Sequence, residues 1–340
     1  MGVAVARIED VARHAGVSPS TVSYVLSGKR SISAETRRRV EESIRLLGYH
    51  PHAGARALAS NRSNVIALVI PLRSGIHVPV LMQFAIAVTT AARRHDHDVL
   101  LLTQEEGVDG LHRVARSALV DALIVMDVEL RDARIPVLRG LDRPAVLIGF
   151  PADAGGLTCI DLDFQAAGAR CVDHLADLGH RRIALVGPPQ EVYDRGTGFA
   201  ARTVDGFRRA ADRRGVDADI HPCQPTQDGV RALADRLLAA EPAITGVVVH
   251  NEPAVAPLLA AFRERGRRVP DDLSVVVISP DELAEHADPP LTSITIPAED
   301  VGRSAVDLVM AKLAGDDVPS ATLLAPALVT RASTRCPAHR

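Results

Sequence analysis

Seven short apolar runs set the terms for most of this chain. NVIALVIPL (64–72), DVLLLT (98–103), DALIVM (121–126), PAVLIGF (144–150), RIALVG (182–187), TGVVVH (245–250) and LSVVVIS (273–279) are rich in Val, Ile and Leu. Between them lie stretches such as VLMQFAIAVTTAARR and AAGARCVDHLADLG, whose apolar residues recur at helical spacing. Strands that are apolar on both faces and alternate with helices belong in parallel sheets covered on both sides. The runs suffice for two such sheets, hence two α/β subdomains. A chain of 340 residues is also too long for one ordinary core. In open α/β sheets ligands bind beyond the carboxyl ends of the strands, which makes the cleft between subdomains the expected site.

The first sixty residues follow a different rule. IEDVARHAGV places Ile8, Val11, Ala12 and Ala15 on one helical face, and Gly16 stops the helix. Ser18 is a good N-cap for the next helix, with Pro19 at its first position and Val22, Val25 and Leu26 as the inner stripe before Gly28. Ser33 caps a third helix, AETRRRVEESIRLLGY, with Val40, Ile44 and Leu47 inward and Gly48 as the stop. Two short helices joined by a tight turn and braced by a third form a helix-turn-helix layout, whose second helix enters the DNA major groove by its N-terminal end. That end is crowded with Ser18, Ser20, Thr21 and Ser23. Hydroxyls are mediocre in helix interiors, yet they let a backbone approach phosphates and donate hydrogen bonds to them. A surface loop would account for the serines but not for the buried-face spacing.

Charge agrees with a polyanion partner at one end only. Residues 1–60 carry nine Lys and Arg against five Asp and Glu, a net +4 that leaves −7 for the rest of a chain whose total is −3. A solvated helix face would carry the same charges. The four cysteines, Cys159, Cys171, Cys223 and Cys336, lack metal-ligand spacing and suit a reducing compartment. No apolar run reaches membrane-spanning length, and MGVAVARIED has no signal-peptide core, so a cytoplasmic protein with no membrane partner is expected.

The stretch IEDVARHAGVSPSTVSYVLSGKRSISAETRRRVEESIRLLGYHPHAGARALA resembles the head of a lactose-repressor-type (LacI/GalR) transcriptional regulator. The resemblance implies a helix-turn-helix domain over 6–50, a hinge helix over 51–60 and an effector-binding, dimerising core over 61–340. It also implies that Ser18, Thr21 and Ser23 contact phosphate while Pro19, Ser20 and Tyr24 face base edges, with Ser33 and Tyr49 in the same DNA-facing set. Tyr24 stands where such proteins usually carry a base-reading arginine, which removes a bidentate contact to guanine and changes the operator read. In the hinge, Leu58 matches the leucine that wedges between base steps in the minor groove, and Arg56 would lie near the backbone. From residue types alone the segment reads as a plain linker with a buried leucine, and its position after the motif favours the hinge.

The body shares the resemblance and, through it, that of periplasmic sugar-binding proteins, on HLADLGHRRIALVG, VHNEPAV, VPDDLSVVVIS and PPLTSITIPAEDVGRSAVDLV. The implied fold is an all-α helix-turn-helix head plus an α/β periplasmic-binding-protein-like core of two parallel-sheet subdomains. The first would take 61–158 and 291–319, the second 159–290 and 320–340. Effector contacts are nominated at strand ends: Leu72, Arg73, Ser74 and His77 after the first run, Arg202 in FAARTVDGF, and Asn251, with Glu252 beside it, after TGVVVH. Arg202 could equally be a surface helix residue and Asn251 only a helix cap. The sugar-holding aspartate expected after LSVVV is missing: Ser279 and Pro280 occupy that place and Asp281 is displaced. With Arg73 nearby, the effector is a small polar metabolite, a sugar or an acid.

No GxxxxGK[ST], G-x-S-x-G or HExxH occurs, so no catalytic residue, metal or cofactor is assigned. RRHDHD (93–98) suits a solvated helix end better than a metal site, and His180 is expected to be structural. The chain is therefore expected to be a homodimeric, effector-controlled repressor of a pseudo-palindromic double-stranded operator, and not an enzyme. A solute-binding protein with a degenerate head is the alternative.

Overall fold

In a computed structural model of the chain the described residues are 6–27, 30–49, 62–70, 72, 73, 75, 77–103, 107–116 and 119–337. They divide into two compact units, Met1–Val65 with Arg113–Asp121, and Ile66–His112 with Ala122–Arg340.

The head is built from α1 (Ile8–Ala15), α2 (Pro19–Ser27) and α3 (Ala34–Leu47). The Asp10 carboxylate accepts the Arg7 N–H at 3.0 Å and closes the first turn of α1. Gly16 (φ 63°) and Gly48 (φ 57°) end α1 and α3 in the left-handed conformation that glycine adopts without strain. The Ser33 hydroxyl caps α3 by accepting the Thr36 N–H at 3.3 Å. Val11, Ala12, Ala15, Val22, Val25, Val40 and Tyr49 make the core. The Arg39 guanidinium donates to the Ala15 carbonyl, and His14 Nδ1 lies 2.9 Å from Ser43 Oγ, so α3 is tied to α1 by polar contacts as well.

The body contains two six-stranded sheets. The first has the order β11-β5-β4-β3-β1-β2, from β1 (Val65–Val69), β2 (Asp98–Leu102), β3 (Ala122–Val125), β4 (Ala145–Ile148), β5 (Thr158–Leu162) and β11 (Ala321–Leu324). The second has the order β12-β10-β9-β8-β6-β7, from β6 (Arg182–Gly187), β7 (Asp217–Pro222), β8 (Gly246–Val249), β9 (Ser274–Ser279), β10 (Thr292–Thr295) and β12 (Leu328–Val329). Neighbours run parallel except at the edge, where β12 pairs antiparallel with β10. The central strands are buried along their whole length, as strands covered by helices on both faces must be.

The lobe boundaries differ from the expected ones. The whole of β5, through Leu162, lies in the first sheet, where Cys159 pairs with Leu147 and Ile160 with Ile148. β10 (292–295) joins the second sheet and β11 (321–324) returns to the first. The chain thus crosses between lobes after β5, after β10 and after β11, because register with the neighbouring strand, not the turn composition, decides where each strand ends.

Helices α4 (Val78–Arg93) and α13 (Ala298–Ala314) pack together beside the first sheet, with Gly302 against Ala87 and Val88. In the second lobe α7 (Phe164–Asp177) crosses α9 (Gly198–Arg214) so closely that a Cβ on Gly206 would fall on the Gln165 carbonyl. The fully buried Phe207 anchors that crossing. Three of the four free cysteines, Cys159, Cys171 and Cys223, are buried. His180 is a buried structural group, its ring within 3.0 Å of Thr245 Oγ1, Ser274 Oγ and the Arg335 carbonyl. Among the described residues no helix is long and apolar enough to cross a membrane.

Candidate functional site

In the head, the N-terminal end of α2 presents a polar edge of small side chains. Ser18, Pro19 and Ser20 are exposed, and Thr21, Ser23 and Tyr24 half-buried. Ser18 Oγ accepts the Thr21 N–H at 3.2 Å and lies 2.9 Å from Thr21 Oγ1, which fixes the first turn of the helix. Pro19 has no N–H and that of Thr21 is held by Ser18, so what this edge offers an anion is its small hydroxyl side chains. The Tyr24 ring lies 5.6 Å beneath the Arg30 guanidinium carbon, so the residue in the arginine's place brings a cation with it. Ser33 is exposed. Tyr49 departs from the expected DNA-facing set: it is 7% exposed and its ring belongs to the head core with Val11, Val22 and Val40. Arg56 and Leu58, with the rest of the expected hinge over 51–60, lie outside the described residues.

In the body, a cleft of about 280 Å³ lies between the two lobes, at the carboxyl ends of the strands. The first lobe contributes His77 after β1, Met126 and Asp127 after β3, Gly149 after β4 and Asp161 in β5. The second contributes Pro188 and Pro189 after β6, Arg195 after α8 (Gln190–Asp194), Gln224 after β7, and His250, Asn251 and Glu252 after β8. Phe164, Phe199 and His250 form a ring cluster, with centroids 5.8 Å apart for the two phenylalanines and 5.4 Å from each to the imidazole.

Of the nominated effector residues, His77 and Asn251, with Glu252 beside it, line this cleft. Asn251 is more than a helix cap: its amide donates to the Gly187 carbonyl at 2.9 Å and the Cys223 carbonyl at 2.8 Å, stitching the ends of β6 and β7 together. The other four described nominees do not line it. Leu72 is 53% exposed. Arg73 is held by Asp127, at 3.5 Å, and by Glu129. Arg202 turns to the Phe150 and Pro151 carbonyls, both at 3.4 Å, with its guanidinium over the Phe150 ring. Asp281 is neutralised by Arg331. In each of the last three a nearer partner of opposite charge or a carbonyl captures the side chain. Ser74 lies outside the described residues.

Missed by the sequence reading are Asp127, Asp161, Arg195, Gln224 and His250. All but Arg195 fall at or just past the carboxyl end of a strand, so a uniform inspection of strand ends would have found them. Burial pushes the Asp161 and Glu252 carboxyls up to about 7 and the His250 imidazole down to about 4. Burial also raises the Asp127 carboxyl, against the pull of Arg73, Arg195 and Arg134.

A main-chain seam joins the lobes beside the cleft. The Leu130 N–H donates to the Gly196 carbonyl at 2.7 Å and the Gly198 N–H to the Val128 carbonyl at 2.8 Å, with Glu129 and Thr197 paired as an antiparallel bridge. A Cβ on Gly198 would sit 2.8 Å from the Phe150 carbonyl, so the seam needs glycine there.

A helix-turn-helix head with a two-lobed ligand-binding body defines a class: regulators of transcription that answer to a small molecule. Residues 7–52 match the family model for bacterial regulatory proteins of the lacI family, and 172–334 match a periplasmic-binding-protein-like domain. The HTH-type transcriptional regulator GalS of Salmonella typhimurium is 30% identical over 335 residues, covering 96% of each chain. Among solved structures, the Lac repressor dimer bound to operator and the anti-inducer ONPF aligns with a TM-score of 0.83 at 26% identity, over 97% of this chain and 99% of that one. A CelR–cellobiose complex aligns with a TM-score of 0.68 at 27% identity, over 96% and 99%. The chain belongs to the LacI family of transcriptional regulators and has its fold, a helix-turn-helix head and a two-subdomain α/β core.

Proposed function

We propose that this regulator is a cytoplasmic repressor that binds a pseudo-palindromic operator as a homodimer and is controlled by a small molecule in the interlobe cleft. The observation that carries the reading is the exposed amino end of α2, with Ser18, Pro19 and Ser20 at the surface of a separately packed basic head. Ser18, Thr21 and Ser23 hold phosphates, while Pro19, Ser20 and Tyr24 read base edges, with the Arg30 cation beside Tyr24. Arg56 and Leu58 belong to a hinge that engages the minor groove. The Lac repressor relative, solved as an operator-bound dimer, supports the homodimer. So does an apolar stripe on α4, where Val78, Met82 and Ile86 recur every fourth residue and are 47%, 42% and 62% exposed. His77, Asn251 and the missed strand-end residues form the effector site, and effector and operator couple by about 1–3 kcal/mol in either direction.

The test is selection of bound sequences from a random DNA library, followed by anisotropy titrations at several salt concentrations. A two-fold-symmetric motif is expected, with the log–log salt slope steepening by about 0.9 per phosphate neutralised. Binding to the selected sequence no tighter than to random DNA would remove the reading. Tyr24→Arg is expected to shift base preference inside each half-site, and Leu58→Ala to weaken specific binding more than nonspecific binding.

A further inference from the structure

We propose that the effector is a small organic cation: a molecule with an apolar body whose protonated amine lies between Asp161 of the first lobe and Glu252 of the second. The inference rests on the cleft being the effector site and adds the chemical class of its ligand.

Two carboxylates line the cleft, Asp161 and Glu252, and neither makes an ion pair among the described residues. Asp161 is 7% exposed, and among the described residues its carboxylate receives only the main-chain N–H of Leu162, at 2.9 Å. Glu252, the first residue of α11 (Glu252–Glu264), makes no ion pair among the described residues and is helped only by its own backbone N–H. The neutral amides nearby are already used. Asn251 holds the Gly187 and Cys223 carbonyls, and Gln224 donates to both carboxylate oxygens of Glu191 at 2.9 Å. The remaining charges around the cleft are balanced: Asp127 and Glu129 by Arg73, and Asp132 by Arg134 at 2.6 Å. Arg195 acts on Asp127, and Arg202 is committed to two carbonyls and a ring. An ammonium has three donors and no acceptor, the complement of two such carboxylates, whereas a carboxylate ligand would meet their like charge.

The walls supply the rest. Phe164, Phe199 and His250 present three clustered rings. His250 is 4% exposed and its ring takes part in no hydrogen bond among the described residues. Burial keeps it neutral, so it joins the two phenylalanines as a ring face and not as a competing cation. Phe84, Met126, Ile148 and Ile296 line the remainder and suit an apolar body. Because the carboxyls come from opposite lobes, one cation bonded to both draws the lobes together.

The groups facing the two carboxyls are His77, Asp127, Arg195, Arg202 and His250. With the cleft empty, burial leaves both carboxyls partly protonated near neutrality. A cation selects their ionised forms, so binding releases protons and tightens as pH rises from 6 to 8.

The test uses calorimetry on the full chain with isosteric probes: cyclohexylamine, cyclohexanol and cyclohexanecarboxylate, then glucosamine against glucose. The amines are expected to bind at least tenfold more tightly than their neutral partners. Proton release should appear as a difference between buffers of unlike ionisation heat. Asp161→Asn and Glu252→Gln should each weaken amine binding tenfold or more and flatten its pH profile. The second variant, at a helix terminus, keeps the test valid if the first does not fold. The proposal is overturned if no amine binds at millimolar concentration, if the alcohol, the sugar or the carboxylate binds as well as the amine, or if both variants bind the amines unchanged. Operator binding by the same preparation is followed alongside. A neutral or acidic ligand that alters operator affinity rejects the cation and keeps the regulatory reading, whereas absence of operator-specific binding rejects that reading whichever probe fills the cleft.

Discussion

The head closes on seven buried apolar side chains and sets its polar residues outward on α2, whereas the body buries whole strands and sets its polar residues inward, at the strand ends of a cleft. The head's proposed DNA-binding edge is made by consecutive residues, 18–24. The body's proposed effector site is a hollow to which residues from Gly75 to Ile296 contribute. A small core has little to spare, since a domain of about 60 residues buries only ~60% of the surface its unfolded chain exposes. The head is therefore the part that a single substitution removes most easily.

The largest expected effect separates the two outright. Val40 is fully buried in the head, and Val40→Asp places there a carboxylate whose desolvation costs several kcal/mol. Operator affinity should fall to the nonspecific level, a loss of ~10³-fold or more, while ligand binding and the body's thermal transition stay put. Retained specificity, or a body transition that moves with the head's, would erase the contrast. Next comes Phe207→Ala in the α7–α9 crossing, expected to take about 3–5 kcal/mol from unfolding of the body in urea and to leave the head folded. A loss under about 1 kcal/mol would show that the crossing readily collapses around a cavity.

A smaller effect sharpens the comparison through pH. Asp161 and Glu252 titrate near 7 in the folded body, far above the ordinary carboxylate range, so the folded state holds protons that the unfolded chain gives up. That contribution to stability is complete below the ordinary range and is lost as pH rises to about 7. His250, held down to about 4, acts in the opposite sense and withdraws stability only as pH falls below its ordinary value. Between pH 8 and pH 6 the carboxyls add stability on acidification while His77, His174, His180 and His221, also held low by burial, withdraw it. The carboxyl part is therefore read as a difference: on acidification the Tm of the double variant Asp161→Asn, Glu252→Gln should fall relative to that of the unaltered body in scanning calorimetry, and parallel pH profiles would assign no such part to the two carboxyls.

The smallest effect uses the same chemistry in both units. Ser33 caps α3, and Thr226 caps α10 (Gln227–Leu238) by accepting the Gly229 N–H at 3.1 Å. Alanine at either should cost ~1 kcal/mol. The head's Tm should drop about twice as far, because a small unit has the smaller unfolding entropy. Equal shifts would mean that head and body unfold together.

The same contrast explains what the sequence made legible. Signals in the head are local: Gly16, Pro19, Ser33 and Gly48 bracket helices that the structure places at 8–15, 19–27 and 34–47. The seven apolar runs of the body all became strands. β7, β11 and β12 escaped notice because half-exposed edge strands lack a continuous apolar run, and β5 and β10 because TCIDL and TSIT are broken by polar side chains. Site residues were harder. Arg73, Arg202 and Asp281 sit near the expected places in sequence, but each charge is captured by a partner distant in the chain, Glu129, the Phe150 carbonyl and Arg331 respectively. Nothing in a one-dimensional pattern announces such captures. Nor does it announce that Asp161 and Glu252 are left without them.

The seam at 128–130 and 196–198 is written in peptide groups, and peptide groups are the same whatever the side chain. Side chains lining the hollow can therefore change without removing these bonds, provided two glycines stay: Gly198, pressed against the Phe150 carbonyl, and Gly196, whose φ of 69° suits no side chain well.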